Sequence, residues 1–284
     1  MSINIIESEF NKKDSSAYQL SILLGMDSLV YFLFDVGTQQ ALLLKSVPLE
    51  NPQNNVQGLC ESLKQFFGQE DLFSYLFRRV RIALPSSVSA IVPARLFNEA
   101  ERATYLEELI SDGPHSYVQH DELGDMGVNI VYPVATELVA TLKKQFPTGK
   151  FFSPSTPLLL GFKKTIDIDE RGTTVFAYLA EDKVYILAFE KQNLLFFNAY
   201  PFQATSDVMY FVLLVYEQLN LSPAEIPLVL SGNIVADSDI YRTLYRYVAD
   251  IRFLEELPFL KFGRKFQEIP PYFNFNLYSL ALCK

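Results

Sequence analysis

TVFAYLAEDKVYILAFEKQNLLFFNAYPFQATSDVMYFVLLVYEQLNLSPAEIPLVLSGN, from Thr174 to Asn233, carries the organisation of the chain. It divides into three apolar runs separated by two short turns, a long apolar stretch with helical spacing, and a buried run closing on Ser231-Gly232-Asn233. Nearly continuous apolar runs of strand length indicate strands covered on both faces. The predicted order is strand, strand, strand, helix, strand.

The same order begins earlier, at Tyr18. Tyr18 to Leu24 is followed by the turn Gly25-Met26-Asp27-Ser28, Leu29 to Asp35 by Val36-Gly37-Thr38-Gln39, and Ala41 to Pro48 gives a third strand. The helix stripe Val56, Leu59, Cys60, Leu63 and Phe67 recurs at one constant offset as Val208, Phe211, Val212, Val215 and Leu219. Gly68 and Asn220 keep that offset, and both residue types suit a left-handed helix stop. Asp27 and Asp182 occupy equivalent turns. Val80 to Leu84 answers to Ile226 to Leu230, and a helix opened by the capping-box sequence Asn98-Glu99-Ala100-Glu101, carrying Ala103, Leu106, Leu109 and Ile110, answers to one from Asp237.

Between these copies, Val88 to Val92 is read as a strand, and Gly113 to Gly127 as polar and irregular. Val128 to Val131 is a short strand, Leu138, Leu142 and Phe146 mark a helix, Phe151-Phe152 a strand and Thr156 to Lys164 a short helix. One duplicated unit explains the pattern; two unrelated α/β lobes would share its fold class.

The bulk numbers narrow the function. The chain has 284 residues with a net charge of −9, so nucleic acid and anionic membrane are not expected partners. Cys60 and Cys283 are the two cysteines and lie in no zinc-site spacing. MSINIIESEFNKKDSS has no apolar signal core, and no apolar run reaches bilayer length, so a cytoplasmic, reduced protein without a transmembrane segment is expected.

Three strands, helix, strand, helix, twice in one chain, resembles the actin-like ATPase fold shared by actin, sugar kinases and heat-shock chaperones. Nearer flavours are the PilM and GspL assembly proteins, whose last helix the segment Asn274 to Leu282 resembles. The whole chain is similar to a Bacteroidetes family built on a domain of unknown function. The resemblance implies an α/β, ribonuclease H-like architecture of two duplicated lobes, each a mixed sheet flanked by helices. The first lobe would be residues 1–165 with the C-terminal helix, about 270–284, packing back on it, and the second residues 166–269.

The resemblance breaks at the chemistry. Active members carry Asp-x-Gly and a Ser or Thr in the first turn of each lobe, where glycine lets backbone N–H groups approach phosphate and the carboxylate holds magnesium. Here the turns read Leu24-Gly25-Met26-Asp27-Ser28 and Ala180-Glu181-Asp182-Lys183. Asp35-Val36-Gly37-Thr38 spells the motif one turn late, at the other end of the sheet. The family's adenosine motif, a strand ending in Gly-Gly, survives as Leu230-Ser231-Gly232-Asn233, and a single glycine there also reads as a turn.

The expectation is therefore a non-catalytic actin-like scaffold with degenerate nucleotide turns, no catalytic residue, metal or cofactor, and an unidentified protein partner. The alternative is a divergent ATPase binding ATP and magnesium in the crevice between lobes through Gly25, Asp27, Asp182, Lys183, Gly232 and Asn233. A ligand sensor using the crevice without hydrolysis is a third possibility, and oligomeric state is left open.

His115 and His120, in the polar stretch, fit no metal pair, and Asp167, Asp169 and Glu170 read as a solvated linker. Pro270-Pro271 precedes Tyr272, Phe273 and Phe275, rings that either anchor the last helix on the first lobe or form a partner patch.

Overall fold

A computed structural model describes residues 3–86, 88–109, 116–166 and 172–284. In chain order the elements are β1 (Asn4–Ile6), β2 (Tyr18–Leu24), β3 (Ser28–Asp35), β4 (Ala41–Pro48), α1 (Val56–Gln69), β5 (Arg79–Ala83), β6 (Ala90–Pro93), β7 (Ser116–Leu123) and β8 (Val128–Ala135). There follow α2 (Thr136–Gln145), β9 (Lys150–Phe152), α3 (Ser155–Thr165), β10 (Thr173–Leu179), β11 (Lys183–Glu190) and β12 (Asn193–Pro201). The chain ends with α4 (Thr205–Gln218), β13 (Leu228–Gly232), α5 (Asp239–Leu244), β14 (Ile251–Phe253) and α6 (Phe275–Ser279).

They form two compact units. The first takes Met1–Leu158, Phe259–Glu268 and Asn276–Lys284, and the second Leu159–Pro258 and Ile269–Phe275. The main sheet of the first runs β1-β4-β3-β2-β5-β9 and that of the second β12-β11-β10-β13-β14. In each, three antiparallel strands joined by hairpins are extended by two parallel strands on the side of the first hairpin strand. The fold is α/β with two mixed sheets. Even a backbone detail repeats: Gln39 and Lys191, each in the second hairpin turn of its sheet, have φ of 62° and 55°.

The apolar runs are explained by cover on both faces. In the second unit Val175, Ala177, Leu179, Val184, Ile186, Ala188, Leu228 and Leu230 meet Val208, Val212 and Val215 of α4 and Leu244 of α5. On the opposite face Phe176 meets Phe162 of α3 at 4.7 Å, and Phe162 meets Phe275 at 4.4 Å. Each such side chain, fully buried, contributes about 1.5–3 kcal/mol. In the first unit Leu59, Cys60, Leu63 and Phe67 form the buried stripe of α1.

Four expectations are corrected. Gly68 does not end α1: the helix runs to Gln69 and stops at an extended Glu70, whose carboxylate is held 2.8 Å from Lys45 Nζ. No α-helix opens at Asn98, where only two short 3₁₀ turns form among the described residues. Its side chain does accept from Ala100 N, but its own N–H goes to the Tyr105 hydroxyl at 2.9 Å, so Glu101 does not close the box. The stretch read as irregular contains β7, an eight-residue strand paired along its length with β8, and β6 completes a third sheet in the order β6-β8-β7. The second unit carries α5 at this point of the repeat, begun by a Ser238 cap on Tyr241 N rather than at Asp237.

The Pro-Pro tail divides between the units. Tyr272 lies 4.9 Å from Phe253 and its carbonyl accepts from Ser231 Oγ at 3.0 Å, both in the second unit. Beyond Phe275 the tail seals the first unit. Tyr278 meets Phe32 edge-on at 4.8 Å, Leu280 O accepts from Gln19 Nε2 at 3.0 Å, and Cys283 O accepts from Arg81 Nε at 3.0 Å. No helix among the described residues is long and apolar enough to cross a membrane.

Candidate functional site

The first-hairpin turns are built identically from main-chain groups. Gly25 N donates to Ser28 O at 2.8 Å, and Ala180 N donates to Lys183 O at 2.8 Å. Leu49 N then donates to Asp27 O at 2.7 Å, and Phe202 N to Asp182 O at 3.1 Å, tying each turn to the end of the third strand. Each turn is thus closed on itself, with Met26-Asp27 or Glu181-Asp182 at its tip. A Cβ on Gly25 would meet Ser28 Oγ at 2.5 Å, so the open side of that glycine is filled by the turn's own hydroxyl. Around the first turn, buried Asn51 donates through Nδ2 to Met26 O at 2.7 Å and to Asn55 O at 3.0 Å, while Asn55 caps Gly58 N at the start of α1.

Gly232 ends β13 with φ of 88°. A Cβ there would overlap the Leu179 carbonyl oxygen and lie 2.8 Å from the Leu179 nitrogen, so glycine is required by packing and backbone alike. Asn233 N donates to Leu179 O at 2.7 Å. Leu179 is also the residue before the Ala180–Lys183 turn, so within the second unit the structure brings Asp182 and Lys183 to the same sheet end as Gly232 and Asn233. Gly25 and Asp27 hold the corresponding end in the first unit.

Asp35 has the partners of a structural turn. Its Oδ1 accepts from Gly37 N at 2.8 Å, Thr38 N at 2.7 Å and Thr38 Oγ1 at 3.1 Å. The Tyr18↔Asp35 and Leu24↔Leu29 registers place it at the opposite end of β3 from Asp27, as expected.

At the start of α4, Asp207 Oδ2 accepts from Gln203 N at 2.9 Å and Ala204 N at 3.0 Å. These bonds hold its carboxyl below the ordinary range, Gln203 first. His120 stands on β7 with its ring 4.6 Å from Phe97. His115, Asp167, Asp169 and Glu170 lie outside the described residues. Among the described residues no three of His, Cys, Asp and Glu converge as metal ligands.

Sequence reasoning missed Asp121. It is a buried carboxylate on β7 that accepts from Tyr132 OH at 2.9 Å, Ser153 N at 2.8 Å and Thr156 Oγ1 at 2.6 Å. Burial pushes its carboxyl up to about 6 despite those three donors. It joins the third sheet to the first turn of α3. The signal was the pairing of SYVQHDEL with the apolar run from Val128 across Gly124–Gly127, a hairpin hidden by its polar first strand.

Two mixed sheets, each with three hairpin-joined antiparallel strands extended by two parallel ones and a short turn at the end of the first hairpin strand, have the arrangement of the actin-like ATPase fold. Solved structures share it. A Bacteroides thetaiotaomicron protein described as having an actin-like ATPase fold and unknown function matches with a TM-score of 0.81 at 22% identity, over 98% of this chain and 100% of that one. A PilM–PilN type IV pilus biogenesis complex matches at 0.61 and 13% identity, over 93% and 97%. The ethanolamine utilization protein EutJ from Carboxydothermus hydrogenoformans matches at 0.50 and 10% identity, over 99% and 93%. No curated protein matches the chain in sequence. The chain belongs to the family described as protein of unknown function (DUF3822), whose model matches residues 7–251.

Proposed function

We propose that this chain is a non-catalytic actin-like assembly protein, descended from one duplicated unit, that acts in the cytoplasm by binding a protein partner. The observation that carries the proposal is the pair of first-hairpin turns, each closed by its own backbone bond and leaving two residues at the tip. A phosphate cradle needs several N–H groups pointing at one anion and a glycine open to it. Here Ser28 Oγ fills the open side of Gly25, and the second turn has no glycine. These residues do not fit a triphosphate with magnesium.

Duplication is supported by the shared strand order, the paired turn bonds and the matching φ values at Gln39 and Lys191. The structural likeness to the PilM–PilN complex supports a protein partner. Cys60 and Cys283, both buried free thiols, suit a reducing compartment.

A second possibility is favoured by one specific observation. The Ala180–Lys183 turn and Gly232-Asn233 converge on Leu179, where a divergent nucleotide site using Asp182, Lys183, Gly232 and Asn233 would lie, with Gly25 and Asp27 at the corresponding end of the first unit. Calorimetric titration with ATP and magnesium, with ADP in parallel, separates the two. The expected result is no heat of binding up to millimolar nucleotide. Micromolar binding, about −8 kcal/mol, abolished by Asp182→Ala in a folded protein, would overturn the non-catalytic proposal in favour of the second.

A further inference from the structure

The end of the first sheet away from Asp27 is where its parallel strands begin. Tyr18 opens β2, Arg79 opens β5 and Lys150 opens β9, and the three strands are neighbours. Two further segments are tied to that end. Phe73 O, in the 3₁₀ turn Asp71–Ser74, accepts from Gln145 Nε2 at 3.0 Å, which fixes the last turn of α2 beside it. Leu76 O accepts from Ser15 Oγ at 2.8 Å and Arg78 N donates to Tyr18 O at 3.0 Å. Those two bonds hold the chain around Leu76 against the 3₁₀ turn Lys12–Ala17.

These segments concentrate positive charge in a chain whose net charge is −9. Lys13, Arg78, Arg79, Lys143, Lys144 and Lys150 are all exposed, and none takes part in an ion pair among the described residues. The acids at this end are already engaged. Asp71 is held by Lys12, Glu70 by Lys45, and Asp35 by the N–H groups of its own turn, which leaves Asp14. The negative end of the α2 dipole accounts for Lys143 and Lys144. It does not account for Arg78, Arg79 and Lys150, which precede or open strands. Among these cations stands Leu76, 84% exposed on a backbone bonded at its own carbonyl and two residues on. Arginine beside a fixed apolar side chain is the composition of an interface, not of a merely solvated face.

We propose that this end of the first sheet docks an acidic segment of a protein partner. Leu76 would meet an apolar residue of that segment, and Arg78, Arg79, Lys143, Lys144 and Lys150 its carboxylates. The inference names the chemistry of the protein partner proposed above and rests on that reading. Charge complementarity decides the occupant. An extended acidic segment is narrow enough to meet the patch alone, since exposed charges more than about 8–10 Å away are screened at physiological salt. A broad anionic surface, membrane or duplex, would also face the acidic remainder of the chain, which outweighs the patch. Such a patch acts mainly by steering the encounter, so binding weakens as salt rises.

The test titrates the full chain, at low salt, into a fluorescein-labelled peptide of glutamates with one central leucine, read by fluorescence anisotropy. Saturable binding is expected, weakened about tenfold or more by Arg79→Glu with Lys144→Glu. Arg242→Glu with Arg246→Glu, the same charge change on exposed arginines of the second unit, should leave it within about twofold. Leu76→Ser should weaken the leucine peptide and spare an all-glutamate one. All these side chains are exposed, and circular dichroism checks that each variant is folded. A wild type that binds neither peptide at low salt overturns the proposal. So does equal weakening by the two double variants, which would show net charge alone at work. Tighter binding to vesicles of phosphatidylserine and phosphatidylcholine than to the peptides overturns it in favour of lipid. The nucleotide calorimetry reads the hairpin turns at the other end of the sheet, so failure of the patch and failure of the non-catalytic reading are told apart.

Discussion

Asp121→Asn should change how stability depends on pH more than it changes the structure. In the native protein the Asp121 carboxyl is pushed up to about 6 by burial, against an ordinary carboxyl near 4 in the unfolded chain. The folded state therefore holds its proton more tightly. The stabilisation from this group is fully present below about pH 4 and is lost as pH rises through about 6. One decade of differential proton affinity is worth about 1.4 kcal/mol, so the loss across that window is ~3 kcal/mol. Asparagine keeps an acceptor for Ser153 N–H and Thr156 Oγ1, and its amide can face the Tyr132 hydroxyl, which has Phe151 O at 3.4 Å as another acceptor. It carries no titrating proton.

Urea unfolding of the wild type and Asp121→Asn from pH 4.5 to 8 isolates the effect, because every other titrating group cancels in the difference. The wild type should lose stability relative to the variant as pH rises, levelling above about pH 7. A difference that is flat across the range, or that rises with pH, would refute the reasoning, for it would mean that the three donors outweigh the burial and hold Asp121 ionised at no cost. Asp121→Ala tests the donors separately. It strands at least the Ser153 N–H, and should destabilise by about 1–3 kcal/mol for that buried donor alone.

Two glycines should respond oppositely to alanine. Gly232→Ala should lower the unfolding free energy by several kcal/mol, or prevent folding, since its Cβ overlaps Leu179 and its φ is 88°; Gly68→Ala, with open space around its Cβ inside α1, should stabilise by about 0.5–1 kcal/mol. Both are read by thermal or urea unfolding, and a tolerated Gly232→Ala would show that the β13 end is looser than its contacts imply. Asn51→Ala should cost about 0.5–1.5 kcal/mol by removing the part-buried hydrogen bonds to Met26 O and Asn55 O. An unchanged midpoint in urea would show that water replaces the side chain there.

What the sequence made legible was whatever repeats or alternates. The apolar runs around Phe32 and Ile186, the α1 and α4 stripes and the short hairpin turns were visible because covered strands and amphipathic helices leave a period that no tertiary contact has to supply. The third sheet was hidden for the opposite reason. β7 alternates polar residues, and its hydrophobic partner residues sit on β8, so its strand character exists only in the pairing. Asn98 shows how a local signal loses: the cap forms, but the Tyr105 hydroxyl takes the N–H that Glu101 needed, and Leu106 is drawn into the small core with Val92 and Val131. Gly68 had the right residue type one residue too early: α1 runs through it to Gln69 and stops at Glu70 in an extended conformation, without a left-handed cap. Within the candidate site, the placement of Asp182 and Gly232 at one sheet end was legible from strand order. The demand that makes residue 232 a glycine was not, since it depends on Leu179 from another strand.

That demand bears on how the remnants of a nucleotide motif should be weighed. Gly232 is held in place by Leu179, so its presence says nothing about a ligand: any chain folding this way would keep it. The two hairpin turns are the reverse case. Their closing bonds and their ties to Leu49 and Phe202 use main-chain groups alone, so the fold sets no requirement on the side chains of Asp27 and Asp182. Turn chemistry tolerates Asp at such positions without needing it. The residues most able to report on nucleotide chemistry are thus the two aspartates whose loss the fold would not notice, and the retained glycine, which looks most like a family signature, is the least informative residue of the site.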